Sequence, residues 1–576
     1  MSNDSSDAYD LESVQLPYLT GPTLRLFAAV MESPLGGLAT GGLLKTAGIT
    51  WLREQRIDDP PTMRPIHPAG ASPSETAAGA AARAAAPAAE SSPQAPVTDA
   101  PGFRFATVRD YAKVYRDGET TPTEVAQRVL AAIDAGNGAE PPLRAMIAVD
   151  HEDVLRQAEE ATRRIRDGEA LSVFDGVPVA VKDELDMPPY PTTVGTAFLG
   201  EKPAEEDATI VARMRAAGAL LIGKANMHEI GIGVTGLNTI HGTPRNPYGP
   251  DHYTGGSSSG PAAAVAAGLC PVALGADGGG SIRIPASFCG IVGLKPTFGR
   301  LSEHGAAPLC WSVAHVGPLS ATVTDTALSY AVMAGPDPKD AVSLHQPAPT
   351  LAGWDREDLD GLTLGVYWPW FRHATAEVVT RCEAMLTTFE GLGARIREVT
   401  IPDLEAARVA HTVTIAAEMA QALSHTTTKH HREHGLDVRI NLAMARRFTS
   451  SDYVQAQRVR TRLMANFGRV LKEVDVIMTP STGLVAPPIP ETALRSGESD
   501  LTTLIEIMRF ATPANLTGLP AISFPVGYSE AGLPVGMQAI GRAWQEPTLL
   551  RLALAAEKVV TRKAPLWHYE LLAESS

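Results

Sequence analysis

The sequence predicts an α/β fold, one open β-sheet with helices on its faces, preceded by a small helical extension. Three observations carry that reading. From about residue 102 amphipathic helical patterns alternate with short apolar strands, as a sheet covered by helices requires. The 576 residues are 44% hydrophobic and 20% charged, ordinary values for a chain that buries a core. One Ala-, Pro- and Ser-rich interval interrupts the pattern, and no second linker or internal repeat follows it. The expected organisation is a helical N-terminal extension over 1–68, a linker over 69–101 and one large domain over 102–574.

In the extension, Leu24, Leu26, Phe27, Val30 and Met31, then Leu43, Leu44, Ile49, Trp51 and Leu52, mark two or three short helices broken near Pro34-Leu35-Gly36-Gly37. Such a segment must pack on its own body or on a second copy of the chain, so a homo-oligomer through the extension is one of two expectations. Residues 71–90 hold 11 alanines without an apolar period, too little burial to offset ordering entropy. Thr121-Pro122-Thr123-Glu124 has capping-box spacing with proline at the first helical position, and Val125, Val129, Leu130 and Ile133 follow on one face. Val154, Leu155, Ala158, Ala161 and Ile165 make a second amphipathic helix, closed by Asp167-Gly168. Gly176 to Val181 is an apolar strand. Helix 208–217 leads into strand 219–222, and helix 262–267 leads into strand 271–274.

Charge narrows the function classes. There are 49 Lys+Arg against 64 Asp+Glu, a net of −15, which argues against nucleic acid or an anionic membrane as the main partner. The opening Asp4, Asp7, Asp10 and Glu12 lack the basic start of a secretory signal. An uncharged run of 24 residues, Tyr253 to Ala276, is broken by Gly, Ser and Pro and does not read as a membrane span. Cys270, Cys289, Cys310 and Cys382 are too scattered for a disulfide framework or a zinc knuckle, so a cytoplasmic chain is expected. His425, His430, His431 and His434 cluster without metal-ligand spacing, and no metal or cofactor is expected. Tyr367-Trp368-Pro369-Trp370-Phe371 reads as packing at the body's edge.

Three motifs could carry chemistry. Gly231-Ile232-Gly233-Val234-Thr235-Gly236 matches a dinucleotide glycine pattern, but the proline-broken stretch after it cannot supply the phosphate-binding helix. Gly256-Ser257-Ser258-Ser259-Gly260 matches a nucleophile elbow, but no apolar strand precedes it. In Asp277-Gly278-Gly279-Gly280-Ser281-Ile282-Arg283 a strand ends in three glycines and a serine, so bare amides could converge on one anion. On its own the triplet fits a tight turn as well as an oxyanion hole. A serine nucleophile needs a base. His315 or His228 could arrive by folding. Lys182 follows the apolar strand directly, where desolvation favours its neutral form; the alternative is a surface pair with Asp183 or Glu184.

With Gly176-Val177-Pro178-Val179-Ala180-Val181-Lys182-Asp183, Gly255-Gly256-Ser257-Ser258 and Gly278-Gly279-Gly280-Ser281-Ile282-Arg283 all present, the chain resembles the amidase signature family. Ala225 to Glu229, Gly293 to Pro296, Val316 to Pro318, Asn515 to Pro520 and Gly532 to Gly536 look like further landmarks, and the resemblance spans about 102–560. It implies a large mixed open β-sheet with helices on both faces and a Ser–cis-Ser–Lys triad. Ser281 would be the nucleophile, Lys182, neutral at rest, the general base, and Ser257 on a cis peptide bond the relay. Gly278, Gly279, Gly280 and the Ser281 N–H would form the oxyanion hole, with Ser258 in the network and Asp277 and Arg283 as a supporting charge pair. The implied reaction is hydrolysis of small carboxamides, with anilides, carbamates and esters as neighbouring substrates, through an acyl-enzyme. The alternative is the glutaminase subunit of a tRNA-dependent amidotransferase. Ser259, Ala276 and Ala314 depart from the family's usual residues, and none removes a triad member.

Overall fold

Strands that read as unbroken apolar runs are strands buried on both faces. Pro178–Lys182, Leu220–Ala225 and Val272–Ala276 are buried at every residue. The computed structural model describes residues 9–33, 36–68 and 101–572. All of the expected linker but Pro101, Pro34-Leu35 of the expected break, and residues 573–574 lie outside the described residues.

The sheet has 11 strands. From one edge they run Arg395–Glu398, Thr363–Val366, Val476–Pro480, Pro534–Gly541, Ala521–Tyr528 and Val292–Lys295. Val316–Ser320, Val272–Ala276, Pro178–Lys182, Leu220–Ala225 and Met146–Ala148 continue to the other edge. The middle is antiparallel, whereas Val272–Ala276, Pro178–Lys182 and Leu220–Ala225 run parallel, as do the first three strands. This is the mixed open sheet that was expected. Helices cover it, among them Val323–Met333 and Glu546–Val559, with long buried faces.

Local signals in the sequence set most of these elements. Thr121 accepts from the Glu124 amide while the Glu124 side chain caps Thr121, and helix Pro122–Gly138 starts there. The second helix runs His151–Arg166 under an Asp150 cap. The helix expected over 262–267 begins earlier, at Ser259, and is wholly buried. Gly260 allows this, because a Cβ there would collide with the backbone of Asn226 and Ala145.

The extension forms helices Gly21–Glu32, Gly36–Thr46 and Ile49–Glu54. It packs on its own body: Leu24 and Ala28 bury against Ile440, and Leu19-Thr20 pairs antiparallel with Glu498-Ser499. Arg53 grips buried Asp452 through two hydrogen bonds of 2.7 and 2.8 Å. Trp370 and Phe371 are buried, with the Trp370 ring 5.6 Å from Phe510, so the aromatic run is packing. Among the described residues no helix is long and apolar enough to cross a membrane.

The two faces of Gly21–Glu32 make a stability test. Leu24 is 0% exposed and Leu26 66% exposed. Leu24→Ala is expected to cost about 2–3 kcal/mol by its urea midpoint, and Leu26→Ala less than about 0.5 kcal/mol. Equal effects would mean that the extension does not pack on the body in solution.

Candidate active site

Parallel pairing decides where the chemistry gathers. Val179 sits opposite Val272 and Val181 opposite Leu274, so Pro178–Lys182 and Val272–Ala276 end at the same edge of the sheet. Open α/β sheets collect their ligands at such carboxyl ends. Lys182 closes the first strand, and Asp277 follows the second.

Lys182 is buried, and its Nζ donates to Ser257 Oγ at 2.9 Å and to the Ala276 carbonyl at 3.4 Å. Ser257 follows the Gly256–Ser257 cis peptide bond. Ser258 leads into helix Ser259–Ala266, and its Oγ donates to the Ala276 carbonyl at 3.1 Å. The Ser258 amide donates to the Ser281 carbonyl at 3.3 Å. Lys182 and Ser257 therefore meet side chain to side chain, and Ser281 joins them through Ser258 and a shared wall at Ala276.

The glycine loop is held from beneath. Arg283 clamps Asp277 with Nε and Nη2 each 3.0 Å from a carboxylate oxygen, and neither side chain is exposed. Burial alone would push the Asp277 carboxyl up; the Arg283 charge and its hydrogen bonds outweigh it and hold the group well below the usual carboxylate range. Asn515 donates to Asp277 Oδ1 at 2.9 Å and to its carbonyl at 2.8 Å, and accepts from Arg283 at 2.5 Å. Gln538 accepts from Arg283 as well, at 2.5 Å.

One expectation is corrected here. The Gly280 amide donates to Asp277 Oδ1 at 2.6 Å, so the carboxylate takes it from the oxyanion hole. The reason lies in the turn: Gly280 has φ +116°, a value open to glycine, which swings its N–H inward. Among the described residues, the amides of Gly278, Gly279 and Ser281 are taken by no other protein group.

The lysine's surroundings differ from expectation too. Glu184 pairs with Lys182 at 2.6 Å, as the alternative reading had it, but the pair is buried, not at the surface. Asp183 turns away to Lys224, at 3.4 Å, and to the Gly195 amide, at 3.0 Å. Neither histidine offered as a base serves the loop: His228 binds Asp437 at 3.1 Å, and His315 binds the Val313 carbonyl at 2.8 Å. His430, His431 and His434 each face a carboxylate, from Glu433, Glu32 and Glu229. Among the described residues no group of side chains could hold a metal ion.

Several contacts escape sequence reading. His411, on helix Leu404–Ala422, approaches the Gly278 carbonyl with Nε2 at 2.7 Å. Burial pushes its ring down to about 4, and since a carbonyl only accepts, Nε2 carries the proton. Asn515 stood in the sequence as a landmark without a role. Around the loop a Cβ on Gly278, Gly279 or Gly280 would meet Cys310, Ile415, His411, Met508, Ile284 and Ala511. A cavity of about 220 Å³ touches Ala276, Leu309 and Cys310 beside the loop and reaches Glu184, Glu303 and Arg64.

The family profile Amidase matches residues 127–550. The chain is 40% identical to a fatty acid amide hydrolase of Medicago truncatula, over 99% of this chain and 97% of that protein. It is 34% identical to a glutamyl-tRNA(Gln) amidotransferase subunit from Thermosynechococcus vestitus, over 78% of this chain and 96% of that protein. The solved structure of a peptide amidase from Stenotrophomonas maltophilia gives a TM-score of 0.69 at 29% identity, covering 80% of this chain and 98% of that one. At 99% coverage the first match takes in most of the extension, whereas the glutaminase expectation is carried by a match that leaves about a fifth of this chain uncovered.

His411 supplies a pH test. The folded chain keeps this ring unprotonated down to about pH 4, while the unfolded ring takes its proton near 6.5. Stability is therefore expected to fall as pH drops through that window, by about 3 kcal/mol in all from this group. His411→Gln, whose amide can still donate to the Gly278 carbonyl, should flatten the decline in urea midpoint between pH 6.5 and 4. An unchanged slope would show that His411 does not titrate this way.

Proposed function

The chain belongs to the amidase family and hydrolyses amide bonds, and from that premise we propose that Ser281, Ser257 and Lys182 carry the reaction on long-chain acyl amides. The observation that supports the triad is the buried 2.9 Å contact between Lys182 Nζ and Ser257 Oγ beside a serine that ends a glycine cup. In the proposed mechanism Ser281 Oγ attacks the amide carbonyl carbon. Ser257 accepts the Ser281 proton while passing its own to neutral Nζ of Lys182. The carbonyl π bond opens, and the resulting oxyanion sits among the amides of Gly278, Gly279 and Ser281, donors already aimed before reaction. The proton then returns along the same path to the leaving nitrogen, the C–N bond breaks, and an ester to Ser281 remains. Water, activated by the same relay, releases the acid and restores Ser281. Ser258, Asp277 and Arg283 hold this arrangement without joining the proton path.

The acyl preference rests on two supports. Relatives matching nearly the full length are named fatty acid amide hydrolases, and Ile284, Ile415, Met508 and Ala511 give the loop an apolar surround beside Cys310 and His411. We also assign the chain to the cytoplasm, supported by four free, buried cysteines, and take its partner to be a small molecule, with no nucleic acid or membrane, supported by the net charge of −15.

Two measurements test these assignments. Across a series of acyl amides kcat/KM should rise about fourfold for each added methylene until the acyl site is full, from about 0.8 kcal/mol per buried CH2. A rate that peaks on acetamide or glutamine would overturn the acyl assignment. Ser281→Ala should abolish turnover. Lys182→Ala should slow amides by about 100-fold more than activated esters, whose leaving group needs no proton; equal losses would count against the relay.

A further inference from the structure

We propose that Glu184 is a positioning residue for the general base: with the Ala276 carbonyl it takes the N–H groups of Lys182, so that the lone pair of the neutral amine faces Ser257. The inference rests on the triad reading above and adds a buried carboxylate that the proton path does not use.

Three groups surround Nζ: Glu184 Oε2 at 2.6 Å, Ser257 Oγ at 2.9 Å and the Ala276 carbonyl at 3.4 Å. Nζ hydrogen-bonds Ser257 and Ala276 and forms an ion pair with Glu184, and the three N–H donors of an ammonium are enough for all three. A carboxylate and a carbonyl only accept, whereas a hydroxyl also donates. When Nζ is neutral, its two remaining N–H groups stay on the two acceptors, and the lone pair is left at the Ser257 hydroxyl. That is the direction from which the proton must arrive. The two side chains are 1% and 8% exposed.

The chain builds this contact locally. The Leu185 amide donates to the Lys182 carbonyl at 3.0 Å, a turn that curls Glu184 back over the lysine, and the Ala307 amide fixes the Glu184 carbonyl at 2.8 Å. Asp183, one residue nearer, is spent on Lys224 across the neighbouring strand. Ala276, whose carbonyl Nζ also reaches, is followed in the chain by Asp277 of the Asp277–Arg283 clamp. Glu303, His304, Cys310 and His315 approach from the 303–315 segment, Arg64 from the extension, Lys339 and Asp340 from the loop after them, and Glu418 from helix Leu404–Ala422. Burial, then Asp340 and Glu184, pushes the Glu303 carboxyl well above its usual range. The cation nearest Glu184 is thus Lys182. Removing the Glu184 charge takes away the ion pair that Nζ makes at 2.6 Å.

The test compares Glu184→Leu and Glu184→Gln with Lys182→Ala and Ser281→Ala, on an amide and its matched ester, with thermal midpoints as the folding control. Leucine removes the acceptor and is expected to lower kcat on the amide by about 100-fold with KM within about threefold. Glutamine keeps an acceptor oxygen but no charge; it should stay within about tenfold of the parent kcat and move the acidic limb of the kcat/KM profile about one pH unit or more toward acid. If Lys182→Ala and Ser281→Ala abolish turnover while both Glu184 variants keep the parent kcat and limb, Glu184 is only structural and the inference falls with the triad intact. If Lys182→Ala and Ser281→Ala turn over normally, the triad reading falls instead. Should the leucine variant fail to fold, the limb of the glutamine variant decides alone.

Discussion

Arg283 and Asp277 meet with no exposed surface on either side chain, and that ion pair is what the loop of Gly278 to Ser281 is built around. A buried charge without its partner costs about 3–5 kcal/mol, so every group that touches the pair is constrained by it. The Asp277 carboxylate holds the amides of Gly280 and Ile282, which sets the curl of the chain on both sides of Ser281. Arg283 in turn reaches Ala511, Asn515 and Gln538, which anchor the loop to a C-terminal helix and to the middle of the sheet. Desolvation, the largest cost here, is met by a complete set of hydrogen bonds.

The three side chains proposed to react stand on this frame in complementary ways. Lys182 comes from a strand end, Ser257 from the entry to a wholly buried helix, and Ser281 from a loop whose flanking amides are held by the Asp277 carboxylate. Each is carried by backbone that cannot shift without disturbing packed neighbours. The cost is borne by polar groups placed deep in the core: Lys182, Lys224 and Lys295 are all buried, each with its own acceptors.

Much of this was legible in the sequence because its cause is local. The Thr121 capping box, the apolar strand before Lys182 and the three consecutive glycines act within a few residues, so the helix, the strand and the loop could be expected where they occur. The roles that escaped are made by contacts across the chain. His411 lies 133 residues from Gly278, and Asn515 lies 232 from Arg283, and nothing beside either residue signals its partner. Gly280 is a case between the two: the glycine run is visible, but that one of its amides turns inward to Asp277 depends on a φ that only the fold reveals. Glu184 reads from the sequence as a surface partner of Lys182, and what sequence could not tell is that the turn after the strand folds the pair inside.

The reach of Arg283 also bears on when this protein can first act as it is made. Asn515 and Gln538 follow Arg283 by 232 and 255 residues. A nascent chain exposes Lys182, Ser257 and Ser281 long before the side chains that seat the guanidinium have been synthesised. Until that late segment inserts its strands in the middle of the sheet, the anion cup has no floor. Hydrolytic competence therefore waits on residues made more than 200 positions after Arg283.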